Sequence, residues 1–235
     1  MIAASTASLG AAEPVLAGGM YASRLFAVMA AVVFVATLSV AAYTYGGAPI
    51  FVTTVAASVV ALAGWIATTY RRPASRPAAF NLYVATVVAL MALYADQWHG
   101  GFSSRLVRLY PGAYPPGVGI TDHAFVAVLP LAGSALLLLG ALIYYHGAPF
   151  GRFAAWFTFA WGAVSAIAVY VYPLVAGGTA SALPGMVTAP LPLAVSLLGM
   201  RVLLRREGRQ AASPSRRGDG RALGDVSHSI LRAAP

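Results

Sequence analysis

Apolar residues run along most of this chain in blocks of about twenty, separated by short polar turns. A helix needs roughly 20 such residues to cross the hydrocarbon core of a bilayer. Six blocks meet or approach that length, at residues 25–45, 50–70, 78–95, 124–145, 153–175 and 182–204. Tyr43 and Tyr45 close the first block as interfacial aromatics, and the uncharged turn Gly46-Gly47-Ala48-Pro49 leads into the second. A basic loop with two prolines, Arg71 to Pro77, separates the second from the third. Asn81, near the start of the third, is expected to bond to a neighbouring helix. The sixth block carries Pro184, Pro190 and Pro192, which predict a broken or kinked first half.

Between the third and fourth blocks the pattern changes. Phe102, Leu106, Leu109 and Tyr110 alternate at helical spacing with Ser103, Ser104, Arg105 and Arg108. That predicts a short amphipathic helix lying in the membrane interface. The run from Pro111 to Gly117 then forbids regular structure.

Composition narrows the class. The chain has 235 residues, 60% of them hydrophobic and 9% charged. Soluble domains are about 25% charged, so lipid must be the main solvent here. The expected fold is all-α: a polytopic membrane bundle of about six helices spanning residues 24–204. It follows a short N-terminal segment (1–23) and precedes a basic, disordered tail (205–235). With no cysteine there is no disulfide, thiolate metal site, iron–sulfur cluster or cysteine nucleophile. With no lysine there is no retinal or pyridoxal Schiff base and no Walker-type phosphate loop.

All fifteen basic residues are Arg, and seven of them lie from Arg205 onward. The net charge of +9 therefore describes a tail and membrane edges, and nucleic acid is not an expected partner. With six spans, thirteen Arg fall on the side of the termini and only Arg105 and Arg108 fall opposite. The positive-inside rule places both termini in the cytoplasm of a bacterial inner-membrane protein and turns the 96–123 region outward.

Candidate chemistry collects in that outward region. Asp96 and His99 end the third block, and Asp122 and His123 open the fourth. Asp96 and His99 share a face if the helix continues through them. Antiparallel third and fourth helices would bring both pairs to one membrane level. A carboxylate and two imidazoles suit copper or another divalent metal, without sulfur ligands. The candidate ligands are Asp96, His99 and His123, with Asp122 as a capping or orienting group and Trp98 as a packing wall. Arg105 or Arg108 would neutralise Asp96. Haem between His99 and His123 ranks below copper, because both imidazoles sit at the bundle's rim. The structural alternative is that Asp122 caps a helix and that Trp98, His99 and His123 are interfacial rings.

Six spans, an outward loop carrying Asp96, His99 and His123, and an Ala-rich N-terminus resemble the C subunit of copper-dependent membrane monooxygenases. The resemblance implies copper bound by an Asp and two His, whose counterparts by position are Asp96, His99 and His123. The chain departs from that family in a shorter Asp-to-His spacing, a longer loop, and a segment from Ala176 to Pro192 without His, Asp or Glu. The likeness covers topology and three residues and does not assign the chain to the family.

Three functions are therefore open: a metal-binding redox subunit or small membrane enzyme; a non-catalytic subunit of a larger membrane complex; and a small-solute carrier or a transporter's substrate-binding component. Lipid, and either other membrane subunits or further copies of this chain, are the expected partners.

Overall fold

The computed structural model describes residues 13–69, 77–113, 131–177 and 183–204, with side chains described from residue 23 onward. The chain divides into two units, Met1–Leu204 and Arg205–Pro235; the second, which holds the basic tail, lies outside the described residues. So do most of the loop from Arg71, the start of the fourth apolar block, and both Asp122 and His123.

Among the described residues every regular element is helical. Helix α1 spans Glu13–Gly64 and continues into a π-helical turn, Trp65–Thr69. Then follow α2 (Pro77–His99), α3 (Phe102–Leu109), α4 (Ser134–Tyr145), α5 (Pro149–Val175) and α6 (Pro190–Leu204). Three helical stretches are long and apolar enough to cross a membrane: Ser23–Thr68, Pro77–His99 and Pro149–Val175.

The first of these is not one rod. Gly47 has φ 65° and ψ −170°, a conformation for which glycine is suited, and Pro49 follows it. Phe34 and Trp65 both meet the ring of Phe153, at 6.0 and 5.5 Å. A straight helix would hold residues 34 and 65 about 46 Å apart. The chain therefore doubles back at Gly47 into two arms, as the turn residues predict.

Helix α5 is the hub, and residues 151–163 are buried without interruption. A helix hidden on every side must be ringed by others, and α1, α2, α4 and α6 all pack on it. Phe153, Phe157 and Trp161 form a row along it, at i, i+4 spacing. Phe34 meets the first two edge-on, at 6.0 and 5.0 Å, while Phe157 and Trp161 stack at 6.0 Å. Between apolar helices in lipid the hydrophobic effect is weak, so such dispersion contacts hold the bundle together. Geometry of this kind adds about 0.5–1.5 kcal/mol per aromatic pair.

Several hydroxyls within the helices are satisfied locally. Thr54, Ser58, Thr86 and Thr158 each donate to the carbonyl four residues earlier, at 2.7–2.9 Å. That suits a medium in which an unpaired polar group has no water to turn to. Asn81, expected to bond to a neighbouring helix, is exposed instead. Tyr83 makes such a bond, donating to the Leu137 carbonyl of α4 at 2.6 Å.

The contacts also give the directions of the helices. Phe34 lies beside the start of α5 and Thr53 beside its Tyr172, while Trp65 returns to Phe153. In α6, Ser196 faces Gly162 and Gly199 faces Phe159, so α6 runs antiparallel to α5. Arg24, Arg152 and Arg201 thus lie toward one end of the bundle, and Asp96, His99, Arg105 and Arg108 toward the other.

Candidate functional site

The Asp96 end is built from the close of α2, from α3, and from the turns leading into α6. Helix α2 does not stop at residue 95 but continues through His99. Asp96 and His99 are thus one helical turn apart, as the ligand reading requires. Gly101, at φ 67°, then turns the chain into α3. Phe102 and Leu106 of α3 are buried and Ser104, Arg105 and Arg108 exposed, but Ser103, expected on the polar face, is buried as well.

Asp96 is half-buried and accepts a hydrogen bond from Thr188 Oγ1 at 2.9 Å. Thr188 is thus a partner of Asp96 that the sequence reading did not name. The partner could not be read from spacing, since 92 residues separate the two. Thr188 belongs to the irregular segment 183–189, which replaces the first half of the sixth apolar block, as its prolines predict. This segment is seated firmly. A Cβ at Gly100 would collide with the Pro184 ring, and Gly185 lies over Leu93 and Gln97. Tyr170 donates to the Met186 carbonyl at 2.5 Å.

His99 is exposed, and its ring lies 5.3 Å from that of Trp98. Trp98 is 47% exposed among the described residues. His146 caps the far end of α4, on the opposite side of the bundle. Among the described residues no three His, Cys, Asp or Glu side chains come together as a metal centre. The expected third ligand, His123, and its neighbour Asp122 lie outside the described residues.

A second polar group lies deeper, and the sequence did not announce it. The hydroxyls of Thr53 and Tyr172 converge on the Pro49 carbonyl, at 3.0 and 2.8 Å, and contact each other. Tyr110 donates to the Tyr172 carbonyl at 2.6 Å. Burial pushes the Tyr110 phenol above its ordinary pKa. The Ala48 amide donates to the Ala113 carbonyl at 2.9 Å, tying the α1 turn to the chain beyond α3. Nearby, the indole of Trp161 donates to the Tyr94 hydroxyl at 2.6 Å. Gln97 is only 4% exposed. Tyr, Trp and Thr in apolar blocks look like ordinary packing residues, and no short motif links positions 53, 94, 97, 161 and 172.

No protein-family model, curated protein sequence or solved structure matches this chain. Its functional reading therefore rests on its own residues: among the described ones, only helices, three of them suited to a membrane, and a polar end around Asp96.

Proposed function

We propose that this is a six-span protein of the bacterial inner membrane with both termini in the cytoplasm and the Asp96 end outward. The two arms of α1, α2, the helix ending in α4, α5, and the broken segment with α6 would be the spans. Helix α3 would lie in the outer interface, with Arg105 and Arg108 toward headgroups. At that end Asp96, His99 and His123 would bind a divalent metal, copper by preference for nitrogen and oxygen ligands. Asp122 would cap or orient, and Trp98 would border the site. The protein would serve as a redox subunit or small membrane enzyme.

One observation carries this reading. Asp96 is a half-buried carboxylate oriented by Thr188, with an exposed imidazole one helical turn away. Carboxylates and imidazoles that hold metals are commonly oriented by such outer hydrogen bonds. The test is metal and haem content of the purified protein, comparing wild type with Asp96→Ala and His99→Ala. Near-stoichiometric metal that disappears in both variants is the expected result. A well-folded wild type without metal would leave Asp96 as a tie between α2 and the broken segment. A non-catalytic subunit, or a carrier of small solutes, would then be the better account.

A further inference from the structure

At the Asp96 end, the turn of α1, the close of α5 and the chain beyond α3 border a groove of about 300 Å³. Ligand pockets usually run from roughly 300 to 1,000 Å³. Its walls include Pro49, Val52, Tyr110, Val171, Tyr172 and Val175. Both phenols are engaged: Tyr110 donates to the Tyr172 carbonyl and Tyr172 to the Pro49 carbonyl. The other side chains of the wall are apolar. Such a lining cannot replace the hydration of a polar solute.

The groove opens on the flank of the bundle, where Val52, Val171 and Val175 are exposed. That flank faces hydrocarbon when the helices span a membrane. An empty groove forfeits the dispersion contacts of its walls. A flexible hydrocarbon chain restores those contacts without desolvating any polar group.

Charge stands at one edge. Tyr110 follows α3 directly, and Arg105 and Arg108 lie on the exposed face of that helix. Among the described residues Asp96 is the only carboxylate at this end, and Thr188 bonds to it. An anionic headgroup therefore meets complementary charge where its chain enters the groove. A second copy of this chain, seated here side by side, would instead bring its own Arg105 and Arg108 to the same level, and like charges repel.

We propose that the groove seats one acyl chain of an anionic phospholipid, whose phosphate is held by Arg108 with Arg105 beside it. The inference rests on the reading that the helices span a membrane. It does not depend on a metal at Asp96.

The test is native mass spectrometry of the full chain, released from micelles that hold equal amounts of phosphatidylglycerol and phosphatidylcholine. One arginine near an anionic surface contributes about fivefold. Wild type is expected to retain one phosphatidylglycerol with at least that preference. Val52→Trp fills the groove from an exposed position and is expected to lower retention of both lipids at least fivefold. Val59→Trp, about two turns along the same arm and likewise exposed, is the control and is expected to change neither. Arg108→Gln is expected to remove most of the preference while both lipids still bind. Equal retention of the two lipids by wild type, or a preference unmoved by Arg108→Gln, would overturn the headgroup site. Retention unmoved by Val52→Trp, or lowered as much by Val59→Trp, would overturn the groove. Lipid-free dimers that Val52→Trp abolishes would make a second copy the occupant. A chain that alkaline carbonate washes from cell membranes would overturn the membrane reading too. An embedded chain that retains no lipid would overturn this site alone.

Discussion

At the scale of single residues, the Asp96–Thr188 bond decides how the polar end is held. An ionised acceptor makes this bond stronger than a neutral one, worth about 1.5–3 kcal/mol. Thr188→Val keeps the shape and removes the donor. It is expected to destabilise the protein by about 1.5 kcal/mol, read from unfolding in mixed detergent micelles. If Asp96 also ligates a metal, the same variant is expected to weaken metal binding about tenfold or more. Loss of stability alone would mark the bond as a structural tie. Asp96 was legible in the sequence as a carboxylate at the end of an apolar run, a position that calls for a partner or water. Thr188 was not, because nothing in a Thr among prolines says which helix it will meet. Thr53, Tyr94, Trp161 and Tyr172 were hidden for the same reason: each is ordinary alone, and only the packing of α1, α2 and α5 brings them together.

At the scale of elements, α2, α4, α5 and α6 end at or within four residues of their apolar blocks, α1 begins at Glu13, well before its block, and the breaks follow glycine and proline. The turn at residues 46–49 reverses α1, and the prolines of the sixth block leave helix only from Pro190 onward. Gly47 occupies backbone space that is nearly closed to other residues, where a side chain costs on the order of 1–3 kcal/mol. Gly47→Ala is therefore expected to lower stability by that amount and to loosen the Ala48–Ala113 bond. Unfolding in mixed micelles, together with amide exchange at Ala48, would detect both effects. Unchanged stability and protection would mean that the reversal does not depend on this residue. The pattern did not reveal which helix is central. The aromatic richness of residues 153–175 shows that they can pack, but not that four other elements surround them. That arrangement comes from tertiary contacts such as Phe34 with Phe157 and Gly162 with Ser196.

At the scale of the whole molecule, the bundle separates its charges. Arg24, Arg152 and Arg201 mark one end; Asp96, His99, Arg105 and Arg108 mark the other. Along its sides, large apolar residues such as Phe26, Val59, Ile66 and Leu174 are exposed. That is the surface expected of helices whose solvent is hydrocarbon, and a partner subunit would find it equally suitable. The proposed metal site lies at the Asp96 end, so it depends on that end facing outward.

That orientation is tested most directly by single cysteines in the naturally cysteine-free chain, labelled in intact cells with a membrane-impermeant maleimide. Ser104→Cys, on the exposed face of α3, is expected to label in intact cells. Ser23→Cys, near the start of α1, is expected to label only after the cells are opened. The opposite pattern would place Asp96 and His99 in the cytoplasm and contradict the account.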